Sequence, residues 1–279
     1  MLNFSRALAV LAVAAGMAAG SGAAYAGPFI LAGTDADDHG SASGGANING
    51  WLFMQRSIEN LAPGTTNGNK VVVSLGGFST ALAAKQSAFS LSSLVGQGWT
   101  FQSLSGAAAI NGFFANTGAV TAANSGIIML DSGGNVSGGL DSSEESALTS
   151  NATQLNGFLG GGGGLFSQAN SYGFLSALVP GLTAPAESNQ GIVLTAAGNA
   201  AFPGLTNADL SAGPYHNQFA NIGVIPVLGT STSTSNPIII GASGGSITDP
   251  GTGTPVPEPA SMLLLVSGLL GAGLMRRKT

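Results

Sequence analysis

The chain has 279 residues, of which 45 are glycine, 7% are charged and none is cysteine. Without cysteine, neither a disulfide framework nor a thiolate metal site can form. Residues 27 to 256 contain three basic and eleven acidic side chains, a formal charge of −8. Three scattered bases exclude nucleic-acid binding, which needs cationic side chains to displace the counterions of phosphates.

The first 26 residues have the pattern of a secretory signal peptide. Arg6 supplies a positive charge, and an apolar stretch follows from residue 7 to residue 19. Ala24 and Ala26 then form the A-x-A pattern that signal peptidase recognises, so we expect cleavage before Gly27. The alternative is a buried N-terminal helix. The pattern predicts an exported protein.

Short apolar runs alternate with helical patterns over residues 27–242, which we interpret as one domain. The runs predict strands at 29–32, 71–75, 99–101, 127–130, 165–167, 192–194, 224–228 and 238–240. Helical spacing is found over 48–61, in the alanine-rich stretch after residue 77, over 107–114 and after Ser142. Ser142 and Glu145 have the spacing of a capping box. The apolar face of the helix that they begin comprises Leu148, Ala152, Leu155 and Leu159.

The predicted strands are unbroken apolar runs, which indicates burial on both faces of a parallel sheet covered by helices. The alternation of strands and helices predicts an α/β fold with a doubly wound, mostly parallel, flavodoxin-like sheet. A stretch rich in Gly, Ser, Thr and Pro follows at 243–254 and is interpreted as a flexible linker.

The densest polar cluster follows the first predicted strand, and ligands of doubly wound sheets bind beyond the carboxyl ends of strands. Asp35, Asp37, Asp38 and His39 are therefore candidate ligands for a divalent cation such as Ca²⁺ or, with the imidazole, a transition metal. The alternative is a solvated loop in which aspartates form turns and cap a helix.

Other polar residues follow later strands and are expected at the same edge. Gln168 and Asn170 are candidate ligand-binding residues, and Asp131 could join their crevice or cap the turn that follows it. His216 is a candidate catalytic base with Ser167 as nucleophile, although the G-x-S-x-G elbow is absent. The alternative for a lone loop histidine is a structural role.

The segment 255–279 has three parts: Val256-Pro257-Glu258-Pro259, an apolar run over 260–275, and the bases Arg276, Arg277 and Lys278. The apolar run would form about 24 Å of helix, a little less than the roughly 30 Å hydrocarbon core. The bases are expected to stay cytoplasmic. Prolines disfavour helix, so an extended segment is expected outside the bilayer.

This tripartite segment resembles a PEP-CTERM sorting signal. The resemblance implies recognition by an exosortase, transient anchoring in the inner membrane and cleavage near Pro-Glu-Pro. It further implies delivery to the cell surface or extracellular matrix, with exopolysaccharide or other matrix components as candidate partners. The alternative is a permanent single-span anchor.

The body resembles a different family. The glycine run 160–164 and the following GLFSQANSYG resemble the approach to the nucleophile in class I glutamine amidotransferase-like domains, including the ThuA-like branch. Segments 194–210 and 213–219 are also similar to ThuA-like proteins. The family's nucleophilic cysteine would fall near Ala169. The chain has no cysteine, which excludes glutaminase chemistry through a thioester.

These observations favour an exported surface or matrix protein whose α/β domain binds a ligand, a carbohydrate or a divalent cation, without catalysis. The alternative is a secreted hydrolase that uses the cluster at 35–39 with Asp131 and His216. That alternative requires these groups to reach one substrate within hydrogen-bond distance.

Overall fold

The structure, a computed structural model, describes residues 28–168 and 172–242. The strands are β1 (Phe29–Ala32), β2 (Gly40–Ser43), β3 (Ala46–Asn49), β4 (Val71–Leu75), β5 (Thr100–Leu104), β6 (Ile127–Leu130), β7 (Gly164–Ser167), β8 (Ala186–Gln190), β9 (Ile192–Leu194), β10 (Pro214–Asn217), β11 (Val227–Ser231) and β12 (Pro237–Ala242). The helices are α1 (Gly50–Leu61), α2 (Ser79–Ser90), α3 (Ala107–Phe114), α4 (Ser142–Ser150), α5 (Ala152–Gly160), α6 (Leu175–Leu178), α7 (Ala196–Ala201) and α8 (Asn207–Leu210).

Eight of these strands form one sheet in the order β5-β4-β6-β7-β1-β12-β11-β9. The first five are parallel, and β12, β11 and β9 continue the sheet in antiparallel pairs. The predicted α/β fold with a mostly parallel sheet is confirmed. Numbered among themselves, the parallel strands have the order 3-2-4-5-1. This is the flavodoxin order 2-1-3-4-5 after a cyclic shift that places the first strand in the fifth position.

Helices cover both faces of the sheet. Ile127 and Met129 of β6 pack into one core with α1 and α2, whereas Ile128 and Leu130 pack into a second core with α3, α4 and α5. Side chains alternate between the faces because a strand has a period of two residues. Full burial of each such side chain stabilises the fold by about 1.5–3 kcal/mol.

The helix predicted from Ser142 differs from the prediction in two ways. Its cap is Asp141 with Glu144, not Ser142 with Glu145: the Asp141 carboxylate accepts first-turn N–H groups, and Glu144 accepts the N–H of Asp141. Glu144 is also buried by contacts with neighbouring loops, which favours this register. The helix is interrupted at Asn151, whose ψ of 18° separates α4 from α5.

Four strands were not predicted, and one was predicted too early. The strand expected at 224–228 begins at Val227, and Val224 is 87% exposed. β2 and β3 form a hairpin over residues 40–49, where no strand was predicted, and β8 pairs with β10. The two residues between β2 and β3, Gly44 and Gly45, have φ values of 60° and 80°. Tight hairpin turns require such values, and glycine adopts them without strain.

Several predicted segments lie outside the described residues: the signal peptide with Ala24, Ala26 and Gly27, the linker 243–254, the Pro-Glu-Pro segment, the apolar run 260–275 and the bases 276–278. Within residues 28–168 and 172–242, no helix has the length and apolarity that crossing a bilayer requires.

Candidate functional site

The loop after β1 contacts the carboxyl ends of two neighbouring strands. Thr34 Oγ1 donates to Gln168 Oε1 at 3.0 Å, just after β7. The N–H of Ser132, just after β6, donates to Asp37 Oδ2 at 2.8 Å. Because β1, β7 and β6 are consecutive in the sheet, these polar side chains lie at one edge.

Asp35 lies at the centre of this loop and contacts both histidines. Its Oδ2 is 3.2 Å from Nε2 of His39 and 3.1 Å from Nε2 of His216. Nε2 of His39 is also 3.7 Å from Oδ2 of Asp38. Asp35 is only 3% exposed. Asp35 and Asp37 are thus buried, whereas Asp38 is exposed and His39 is partly exposed, so only part of the segment fits the solvated loop of the alternative interpretation.

Strand β10 brings His216 to the loop. Thr34 forms an isolated bridge with Tyr215, and the carbonyl of Gly33 accepts the N–H groups of His216 at 2.6 Å and Asn217 at 3.2 Å. A Cβ at Gly33 would overlap the carbonyl oxygen of Asn217. Only glycine permits this backbone approach, so Gly33 positions β10 and His216.

Asp35, Asp38 and His39, hereafter the Asp35 cluster, can each offer one ligand atom, and these atoms all lie within 4.8 Å of one another. His216 approaches Asp35 but does not belong to this group. Oδ1 of Asp35 is buried and has no hydrogen-bond partner in the described part of the chain. A buried unpaired carboxylate oxygen is costly, so such an atom calls for a ligand, a water or an ion.

A small cavity adjoins the cluster. It has a volume of about 10 Å³ and is lined by Asp35, His39, Asp209 and Gly213, among others. This volume is close to the least that holds one water molecule, so the cavity accommodates an ion or a water and no larger substrate. Mixed carboxylate and imidazole ligands suit Zn²⁺ or Mn²⁺, whereas Ca²⁺ takes six to eight oxygens.

Asp37 is buried beside the cluster. Desolvation raises the pKa of its carboxyl from 3.8 to about 6, although the hydrogen bond from the Ser132 N–H opposes this rise. The nearby Asp131 carboxylate raises the pKa further. Among the described carboxyl groups, Asp37 is therefore the one whose charged form is most clearly disfavoured by burial.

Asp131 is fully engaged within the protein. Its Oδ2 accepts a hydrogen bond from Nζ of Lys85 at 2.7 Å, and its Oδ1 accepts the N–H groups of Gly133 at 3.0 Å and Leu140 at 2.7 Å. Both side chains of the ion pair are 0% exposed. This geometry matches the turn-capping alternative for Asp131 and leaves little acceptor capacity for a substrate.

The role of Lys85 as the partner of Asp131 was not predicted from the sequence, although the sequence contains a signal for it. Lys85 lies on the helix face of Ala81 and Ala88, both of which are buried. Helical spacing places residues three and four apart on one face. A lysine on an alanine-rich buried face needs an anionic partner, and Asp131 is that partner.

The remaining candidates lie at the end of β7. Ser167 is fully buried, and Gln168 uses its Oε1 to accept from Thr34 and from the N–H of Ala36, while its Nε2 has no partner in the described residues. Asn170 lies outside the described residues. The hydroxyl of Tyr172, also missed from the sequence, is 2.7 Å from the Ala32 carbonyl, and burial raises its pKa.

Residues 255–278 match the PEP-CTERM protein-sorting motif. No curated protein matches the chain, and no solved structure does. The resemblance of residues 27–242 to amidotransferase-like domains therefore stays a prediction. The chain carries the sorting signal of an exported protein that associates with the membrane while an exosortase sorts it.

Proposed function

We propose that this exported protein binds a divalent cation at the Asp35 cluster once it reaches the cell surface or matrix, and that the α/β body is a non-catalytic binding domain. The sorting motif supports the destination. The Asp35 cluster supports the activity, because its three donor groups converge.

One observation carries the proposal: the buried Asp35 carboxylate has an oxygen without a partner, next to an ion-sized cavity. A divalent cation there would offset the repulsion between Asp35 and Asp38 and would satisfy the unpaired oxygen. His216 would act as a positioning residue, because its Nε2 lies 3.1 Å from Asp35 Oδ2 and fixes the orientation of that carboxylate.

Calorimetric titration of the full-length chain, purified in mild detergent and stripped with EDTA, tests the proposal with Zn²⁺, Mn²⁺ and Ca²⁺. We expect one cation per chain, with Zn²⁺ or Mn²⁺ bound more tightly than Ca²⁺. Asp35→Asn and His39→Ala should each weaken binding at least tenfold. His216→Ala should weaken it by about 10-fold, as loss of a group that orients a ligand does.

Glu145→Gln is the matched control. It removes one negative charge from a half-buried carboxylate in α4 that does not belong to the Asp35 cluster, and should leave the affinity unchanged. The proposal fails if none of the three cations binds with a Kd below about 1 mM, or if the wild type and His39→Ala bind equally.

The hydrolase alternative has weaker support. Its candidate nucleophile Ser167 is buried, and Asp131 is held by Lys85 and two backbone N–H groups. His216 has the carboxylate partner that a catalytic histidine needs, but that partner, Asp35, is shared with His39. These contacts favour binding over catalysis.

A further inference from the structure

A larger cleft lies at the opposite edge of the sheet from the Asp35 cluster. It has a volume of about 400 Å³, within the range of small-molecule sites. Asn69 precedes β4, Ala123 precedes β6 and Gly161 precedes β7 in its lining. Since these three strands are adjacent and parallel, the cleft lies at their amino ends, where doubly wound folds do not ordinarily bind ligands.

The lining of the cleft is uncharged. Its polar side chains are four amides, Asn67, Asn69, Asn116 and Gln154, and its aromatic side chains are Phe114 and Phe158. An anionic ligand would find no cation among these residues, and a cationic ligand would find no carboxylate. The lining therefore suits a neutral ligand.

Hydrogen bonds hold three of the amides in place. Asn67 Nδ2 donates to the Ser125 carbonyl at 2.9 Å, Asn69 Nδ2 donates to the Ala123 carbonyl at 3.0 Å, and Asn116 Oδ1 accepts the N–H of Ala123 at 2.9 Å. These bonds fix the loop before β6 against the loop before β4. A rigid wall of this kind lowers the entropy lost when a ligand binds.

Part of the amide capacity is still free. No hydrogen bond within the described part of the chain engages Asn69 Oδ1, Asn116 Nδ2 or the amide of Gln154. An amide offers both a donor and an acceptor, which matches a hydroxyl group, itself a donor and an acceptor. The side chains of Phe114 and Phe158 are only 5% and 7% exposed, so the apolar surface that they offer to the C–H face of a ligand is small.

We infer that this cleft binds a neutral saccharide unit. Saccharides present clustered hydroxyls beside C–H faces, which is the chemistry that free amides and phenylalanine edges complement. The volume suits one or two sugar rings. The site is independent of the proposed cation site, because the two lie at opposite edges of the sheet and share no lining residue.

Gly157 provides a sharp test. It lies within α5 and lines the cleft, and a Cβ added there would meet nothing within 4 Å. Gly157→Leu should therefore fill the cleft without a clash, and replacement of a helical glycine removes a propensity penalty. Gly160→Leu is the matched control, since Gly160 ends the same helix, has equally open space around its Cβ position and does not line the cleft.

The full-length chain in mild detergent is applied to an array of neutral and acidic glycans, and the best neutral glycan is titrated by calorimetry. Gly157→Leu should weaken binding at least tenfold without lowering the unfolding temperature, and Gly160→Leu should leave it unchanged. Gln154→Ala should weaken binding about fivefold, and EDTA should have no effect. The inference is overturned if no neutral glycan binds, if Gly157→Leu binds as the wild type does, or if EDTA abolishes binding.

Discussion

Lys85 and Asp131 form an ion pair in which both side chains are removed from solvent. Nζ of Lys85 also donates to the carbonyl of Gly76 at 2.8 Å. Loss of one partner from such a pair leaves a buried charge uncompensated, and this loss is strongly destabilising. At the scale of single residues, we therefore expect substitution of either residue of this pair to be strongly destabilising.

Lys85→Met should lower the free energy of unfolding by about 3–5 kcal/mol, measured by urea denaturation. Lys85→Met combined with Asp131→Asn should recover part of that loss, because no buried charge is left unpaired. Lys70→Met, in which the exposed Lys70 is replaced, should change stability by less than about 0.5 kcal/mol. Equal stability of Lys85→Met and wild type would contradict the structural role of the pair.

Asp37 predicts a pH dependence of stability. Its pKa in the folded state is about 6, against 3.8 for the free side chain, so the folded state binds the proton more tightly than the unfolded state. The contribution of Asp37 is thus fully present below pH 4 and is lost as pH rises from about 4 to about 6, in total about 3 kcal/mol.

Asp37→Asn should remove this pH-dependent contribution to the free energy of unfolding. The stability of the variant relative to the wild type should rise between pH 4 and pH 6 and become constant above about pH 7. Urea denaturation of EDTA-treated protein at several pH values measures the difference. A difference that does not vary with pH would show that burial does not raise this pKa.

At the scale of elements, the cap of α4 distinguishes the structure from the sequence prediction. Asp141→Ala removes the acceptor of two first-turn N–H groups and should lower the unfolding temperature by about 2–4 °C. Ser142→Ala changes the residue that the sequence pattern favoured and should lower it by less than about 1 °C. Thermal unfolding followed by circular dichroism measures both, and the reverse order of effects would restore Ser142 as the cap.

Three of the four strands that were predicted with their bounds are buried on both faces, and β9 differs because its Val193 is 36% exposed. β1, β4, β6 and β9 have the predicted bounds, because an unbroken apolar run is a local signal of burial. β2, with the sequence GSAS, and β8, with AESNQ, carry no such signal. Their strand conformation depends on partners elsewhere in the chain, which a local pattern does not contain.

The candidate site could likewise be predicted only in part, where the signal was local in the sequence. The polar cluster after β1 was visible as a run of acids and a histidine, and its position at the carboxyl end of a strand followed from the fold class. The contact between Asp35 and His216 was not visible, because it joins residues 181 positions apart. It depends on β10, a strand with only one fully buried apolar side chain, Tyr215.

For the whole molecule, the order of the strands and the sorting motif have separate consequences. β1 pairs with β7 on one side and with β12 on the other, so Phe29 lies opposite Ala242. β1 joins the parallel and antiparallel parts of the sheet. It can therefore pair on both sides only once β12, which lies far along the chain, is available. Such non-local pairing slows folding.

Replacement of Pro257, Glu258 and Pro259 by alanine should leave the protein associated with the membrane, because the exosortase recognition segment is lost. Alanine would also remove the two prolines that disfavour helix at this position. Cell fractionation and the mass of any released species measure the outcome in a host with an exosortase. Replacement of Ser243 and Ser246, in the predicted linker, by alanine is the control and should leave release unchanged. Normal release of the alanine variant would contradict sorting through this motif.

The geometry of the site depends on the absence of a side chain at Gly33. Its bare α-carbon lets the backbone of β10 lie directly against the loop after β1. One added methyl group at this position would separate the two segments. The distance between His216 and Asp35 would then increase, although neither side chain had changed. Replacement of Gly33 would therefore disrupt the site by steric hindrance alone, although every candidate ligand and both histidines would still be present.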